Sequence, residues 1–252
     1  MESRIFHITF SPTGASEKAG VRIARAFGEQ PLTVDLCAQT PPERFFGAND
    51  LCVFSAPCYG GRIPPTAVGR LAGIRGSGTP AVVCVTFGNR AFEDALLELS
   101  DTVAANGFSV IAGCAVVTRH NIMRAYGVGR PNADDLAALD AFAAAAAEKR
   151  AADSLSCPAF PGKRPYRTYH HDFTPIEVEK SCTRCGLCER DCPVGAIDAA
   201  HWPADPGRCI GCMRCIARCP MNSRHRPAES LRILTERLRK ACESPKPNAF
   251  FL

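Results

Sequence analysis

Residues Cys182–Pro193, CTRCGLCERDCP, place four cysteines with gaps of two, two and three residues and close on proline. Residues Cys209–Pro220, CIGCMRCIARCP, repeat that spacing without insertion or deletion. Thiols this close suit metal, because three thiolates two residues apart can wrap one side of a compact inorganic group from a tight loop. Fifteen cysteines in 252 residues would suggest disulfides in a small secreted chain, but regular spacing in a reduced compartment points to metal. Zinc also accepts four thiolates. A spacing carried through three cysteines in both halves fits a cubane of iron and sulfide better.

The pattern C-x2-C-x2-C-x3-C-P is the run by which bacterial ferredoxins hold two [4Fe-4S] clusters, the fourth cysteine of each run crossing to the other cluster. Carried over residue by residue, it gives cluster one to Cys182, Cys185, Cys188 and Cys219. Cluster two takes Cys209, Cys212, Cys215 and Cys192. Gly186 and Gly211 let backbone approach the sulfides. The remaining cysteines, at 37, 52, 58, 84, 114, 157 and 242, lack such spacing. Cys52, Cys84 and Cys114 fall in strand patterns, where a thiol behaves as a small hydrophobe.

Upstream, the first 150 residues alternate short β-branched runs with helical stretches, the pattern of a parallel sheet covered on both faces. Strands are expected at Arg4–Phe10, Leu32–Leu36, Asp50–Ala56, Ala81–Phe87 and Phe108–Val117. Helices are expected at about Ala15–Phe27, Pro65–Ile74, Arg90–Asn106 and Asn132–Ala152, the last including the alanine tract AFAAAAAEKR. Ser154–Pro175 turns to Pro, Tyr, His and Arg without periodicity, which reads as a domain connection. The expected division is therefore 1–153, a linker at 154–175, the cluster region at 176–222, and a helix and tail at 223–252. In that helix Leu231, Leu234, Leu238 and Ala241 share one face.

Three loops at expected strand ends share one chemistry. FSPTGAS, Phe10–Ser16, offers the hydroxyls of Ser11, Thr13 and Ser16, the turn at Gly14, and the N–H groups of Ala15 and Ser16 at a helix start, which suits a phosphate. APCYGGRIPP, Ala56–Pro65, offers Tyr59 as a stacking surface beside Pro57 and Cys58, with Gly60 and Gly61 leaving room for a flat ring. TFGNRAFEDA, Thr86–Ala95, adds Thr86, Phe87, Gly88 and Asn89. Ligands of doubly wound sheets bind outside the carboxyl ends of the strands, where these loops fall. Arg62 is the cation expected to tune such a ring. His120, His170 and His171 are candidates for proton delivery. No catalytic residue is assigned.

These loops resemble those of flavodoxins: SPTGAS resembles their phosphate loop, and APCYGGRIP and TFGNRAFEDAL their two ring-binding loops. HNIMRAYGVGRPNADDL, His120–Leu136, is similar to a segment of flavodoxin-ferredoxin fusion proteins. The resemblance covers nearly the whole chain. It implies an α/β flavodoxin-like doubly wound sheet of five parallel strands in the order 2-1-3-4-5, binding FMN, joined to a small α+β bacterial-type ferredoxin domain. Ala15-Ser16 stands where flavodoxins usually have Asn-Thr.

The expected function is an iron-sulfur flavoprotein passing electrons between two [4Fe-4S] clusters and FMN, with low-potential redox proteins, a ferredoxin or an oxidoreductase, as partners. One alternative is an FMN-dependent reductase of a small organic substrate, with His120–Pro131 as its lid. Another is a redox sensor with structural clusters. The +5 formal charge is interspersed, 17 basic against 16 acidic residues over 1–175 and 13 against 9 over 176–252, which argues against nucleic acid. No apolar run reaches the roughly 18 residues of a membrane span, and no secretory signal opens the chain, so a cytoplasmic location is expected. A homodimer is left open.

Overall fold

A computed structural model of the chain describes residues 4–40, 42–170 and 176–252. His171 lies outside the described residues. In chain order the elements are β1 (Ile5–Thr9), α1 (Ala15–Ala24), β2 (Leu32–Asp35), β3 (Arg44–Phe46), β4 (Leu51–Pro57), α2 (Pro65–Leu71), β5 (Ile74–Gly76), β6 (Thr79–Phe87), α3 (Ala95–Ala105), β7 (Phe108–Val117) and α4 (Ala133–Ala151). The C-terminal part adds β8 (Glu177–Val178), α5 (Leu187–Arg190), α6 (Arg214–Ala217), β9 (Arg224–His225), α7 (Ala228–Cys242) and β10 (Ala249–Phe251).

The main sheet runs β10-β7-β6-β4-β1-β2. Its five parallel strands take the expected 2-1-3-4-5 order, with β1 paired to β2 and β4, β4 to β6, and β6 to β7. All nine residues of β6 are buried, as befits a central strand covered on both faces. Alternation sorts its side chains: Val83 and Val85 join Phe54, Leu96 and Leu99 beneath α2 and α3. Val82 and Cys84 join Ile23, Leu139 and Phe142 beneath α1 and α4. Cys52, Cys84 and Cys114 are buried within this core.

Local chemistry explains the element ends. The Asp135 N–H donates to Asn132 Oδ1 at 2.9 Å and the Asn132 N–H returns to Asp135 Oδ2 at 2.8 Å, a capping box that starts α4. The alanine tract is thus helix, as expected. The third helix begins at Ala95, five residues later than the sequence suggested. Asn89 and Glu93 adopt φ of 62° and 44°, and the chain turns through them before helical bonding begins.

The sixth strand was not anticipated. β10 pairs antiparallel with β7, Phe250 opposite Cys114. The Phe250 ring stacks on Phe142 at 5.3 Å, and Phe251 meets Phe160 edge-on at 5.6 Å. Phe160 belongs to the expected linker, which lies against the first domain by specific bonds. Asp94 accepts the Lys163 and Arg167 N–H groups at 2.9 and 2.8 Å, and Asp101 pairs with Arg164 at 2.6 Å. No described helix is long and apolar enough to cross a membrane.

Candidate functional site: two thiol cavities beside a nucleotide-sized cleft

The cysteine runs fold as two short helices in antisymmetric loops. Gly186, φ 76°, and Met213, φ 64°, precede α5 and α6 in left-handed conformation. These turns bring eight thiols to two cavities. Cys182, Cys185, Cys188 and Cys219 line the first; Cys192, Cys209, Cys212 and Cys215 line the second. Each cavity is lined by three thiols from one run and one from the other.

The donor set fits a cluster bound through thiolates. Burial pushes the Cys215 thiol up to about 11, raises Cys212 further, and raises Cys188 and Cys209. Thiolates buried this way need positive charge beside them, which iron supplies. N–H groups already point at the sulfurs: Ala196 to Cys192 Sγ at 3.2 Å, Ser223 to Cys219 Sγ at 3.4 Å, and Gly211 to Cys209 Sγ at 3.5 Å.

Arg224, at the start of β9, escaped sequence reasoning. It is 2% exposed and donates from Nη1 to Cys188 Sγ at 3.4 Å. It also hydrogen-bonds Cys215, so one guanidinium touches a thiol of each cavity. Its Nε is buried without a protein partner, a donor suited to an inorganic sulfide. The carbonyls of Trp202 and Pro203 hold the rest of the head. Only the tertiary path of the chain brings it here; nothing in RHRP marks it.

A second arginine joins the cluster loop to the first domain. Arg214, between Cys212 and Cys215, approaches Ser11 O and Pro12 O, each at 3.4 Å, and Asp35 at 3.8 Å. From the other side, Arg70 of α2 donates to Leu36 O and to Pro193 O. The Ser11–Ser16 loop is therefore held from the cluster domain. Within it, Gly14 has φ 86°, the Ser11 hydroxyl accepts the Glu17 N–H at 2.9 Å, and Ser16 Oγ bonds Thr86 Oγ1 at 2.7 Å.

Two further cavities meet at His120, Asn121, Ile122 and Arg226. One, of about 1060 Å³, opens on Thr13, Gly14 and Ala15. The other, of about 390 Å³, is lined by Cys58, Tyr59, Gly60, Phe87 and Gly88, which suits a small-molecule site. A Cβ on Gly88 would meet the His120 ring at 2.7 Å, so glycine sets how closely that ring stands. His120 Nδ1 accepts the Ile122 and Met123 N–H groups at 3.1 and 3.2 Å. Burial, aided by Arg90, lowers its pKa to about 4. A neutral imidazole therefore faces both cavities.

The cavities at the three loops thus communicate through His120, Asn121, Ile122 and Arg226. Some expected residues point elsewhere. Arg62 forms a two-bond ion pair with Glu98, at 2.6 and 2.5 Å, and lies over Tyr166. Asn89 Nδ2 donates to Cys242 O at 2.6 Å and its Oδ1 accepts the Lys246 N–H at 3.0 Å, which pins the tail. A Cβ on Gly61 would strike Glu93, so that glycine accommodates a carboxylate. Cys58 sits near the Ala91 and Phe92 carbonyls, its thiol raised to about 11 by burial. Pro57 ends β4. His170 lines the ring cavity beside Tyr169.

Residues 174–220 match the 4Fe-4S dicluster domain family. A ferredoxin-like protein in the nif region of Rhizobium leguminosarum bv. trifolii is 37% identical over 59 residues, 20% of this chain and 92% of that protein. Pyruvate synthase subunit PorD of Methanocaldococcus jannaschii is 35% identical over 54 residues, 20% of this chain and 63% of that subunit. An uncharacterized polyferredoxin-like protein of the same organism is 34% identical over 61 residues. The match spans 24% of this chain and 27% of that protein, so the chain covers less than two thirds of these last two relatives. Among solved structures, oxidised flavodoxin 1 from Bacillus cereus aligns with a TM-score of 0.41 at 17% identity, covering 58% of this chain and 98% of that one. Rubredoxin oxygen:oxidoreductase from Desulfovibrio gigas aligns at 0.43 and 16% identity, covering 60% and 37%.

Proposed function

Residues 174–220 belong to the ferredoxins through a 4Fe-4S dicluster domain, and from that premise, with the 2-1-3-4-5 sheet before it, we propose that the chain is a flavodoxin-ferredoxin fusion working as an electron relay between two [4Fe-4S] clusters and FMN. The eight cysteines of the two runs hold the clusters. The Ser11–Ser16 loop receives the flavin phosphate, and Cys58, Tyr59, Gly60, Phe87 and Gly88 flank the ring. Clusters exchange single electrons whereas a flavin stores two.

The observation that carries this reading is Ile210, which lines both the second thiol cavity and the ring cavity. One side chain of the cluster loop is then the wall between the two groups. At the other end, Cys185 is exposed and Met221 beside it is 47% exposed, which supports docking of a low-potential redox protein at cluster one. The expected reductase needs an open ring face. Leu234 and Leu238 of α7 line the ring cavity, which favours the relay.

Anaerobic purification with iron, sulfide and flavin counted per chain, followed by stepwise reduction, tests this. About eight irons and one FMN, with clusters and flavin titrating together, are expected. Eight irons without flavin would refute the FMN assignment.

A further inference from the structure

The larger cavity does not end where a flavin would. Thr13, Gly14 and Ala15 line one end of it, and Arg25, beyond the far end of α1, lines the other. Ten residues of helix separate Ala15 from Arg25, about 15 Å. The ring cavity, lined by Tyr59 and Gly88, meets this one at His120, Asn121, Ile122 and Arg226, away from the Arg25 end. With its phosphate at Thr13–Ala15 and its ring at Tyr59 and Gly88, an FMN would not need the part of the cavity that runs along α1 to Arg25.

That space is cationic. Lys18 and Arg25 come from α1, and Arg119 and Arg124 from the loop after β7. None of these four makes an ion pair among the described residues, whereas Arg22 is held by Asp140 and Arg130 by Asp135. A single acidic residue, Glu17, lines the cavity. Its walls are apolar where the domains meet: Val21 of α1, Leu136 and Leu139 of α4, Ile216 of α6 and Leu231 of α7. These four cations are exposed at the cavity's edge and have no acidic partner among the described residues, so an anion reaching the apolar chamber between them would meet positive charge.

We propose that this chamber binds a second small molecule beside FMN: an organic anion carrying a phosphate or carboxylates on an apolar body. Resting on the FMN reading, the site begins where the flavin phosphate ends. The anionic groups sit between Arg25 and Arg124, and the body lies against Leu139 and Ile216. Because α6 carries Cys215 and α1 carries the phosphate loop, an occupant there touches both domains at once.

Phenyl phosphate is the probe, with inorganic phosphate as the anion lacking an apolar body, each titrated calorimetrically into iron- and flavin-loaded protein. One phenyl phosphate per chain is expected, bound at least tenfold more tightly than inorganic phosphate. The R25Q/R124Q variant should bind it at least tenfold more weakly with flavin content unchanged. No saturable binding to the loaded protein overturns the site, and equal affinity for the two anions overturns the organic class. Binding that appears only after flavin is removed also overturns it, because the anion then occupies the flavin's own phosphate loop. So does extraction of FAD in place of FMN, since an adenylate half would reach into the same chamber. A chain that takes up no flavin defeats the FMN reading separately. Phenyl phosphate binding that still depends on Arg25 and Arg124 would then uphold the anion site, and its absence would remove it.

Discussion

The two thiol cavities come from one repeated spacing, yet Cys185 of the first is exposed while Cys192 and Cys212 of the second are buried. The first lies against Met221 at the surface. The second is enclosed by Ile176, Ala196 and Ile197 and borders the ring cavity through Ile210. Identical cysteine spacing has been given different surroundings, one facing outward and one facing the loops of Tyr59 and Gly88. In a relay, the outer site governs exchange with a partner and the inner one governs delivery.

Removing one ligand from each site should separate these tasks most sharply. C212S is expected to halve the iron content and abolish flavin reduction by an external donor. C185S should slow reduction by that donor while leaving the inner cluster visible by EPR. Equal loss of donor-driven flavin reduction and of both cluster signals in the two variants would erase the distinction. R224Q tests what the sites share. Hydrogen bonds to charged acceptors stabilise by about 1.5–3 kcal/mol, so the reduction equilibrium of each cluster should shift at least tenfold toward the oxidised form, about 59 mV per one-electron couple. Movement of only one potential would confine Arg224 to one site.

The parallel sheet that carries the inner side should lose stability in acid. His7 is fully buried against Ser55 Oγ at 2.8 Å, and burial lowers its pKa to about 4. Its unfolded value is about 6.5, so between the two the unfolded chain binds the extra proton. Stability is therefore complete above about pH 6.5 and declines as pH falls toward 4, by up to about 3 kcal/mol. Urea midpoints at pH 7 and pH 5 measure this, and a flat profile would refute it. F250A, which removes the ring stacked on Phe142, should lower stability by about 2 kcal/mol. It should loosen α7 and the ring cavity while leaving cluster-one absorbance unchanged. Smallest is R22A: its pair with Asp140 is about half exposed and should contribute no more than about 0.5 kcal/mol.

The dicluster domain was legible because cysteine spacing within a tight loop is a local property. The parallel strands were legible because each must be apolar enough to lie beneath helices on both faces. Arg62 was not, since a loop arginine near glycines reads as ring-facing until α3 presents Glu98 to it. Asn89 suffered the same ambiguity, its partner carbonyls lying over 150 positions away. Arg224 and Arg214 acquire meaning only from the tertiary path. Three residues of β10 carry too little periodicity to announce a strand, and only the exposed edge of β7 gives them one to join.

That last strand recasts the connectivity. Because β10 returns to β7, everything from Thr118 to Asn248 is, topologically, an insertion within one sheet and not an appendage to it. A single nick in the strap at 154–170 would not release the cluster domain, since α7 and β10 still tether it from behind. During synthesis the six-stranded sheet closes only after the whole dicluster domain has been made, so completion of the scaffold follows, in time, the appearance of the segment it encloses.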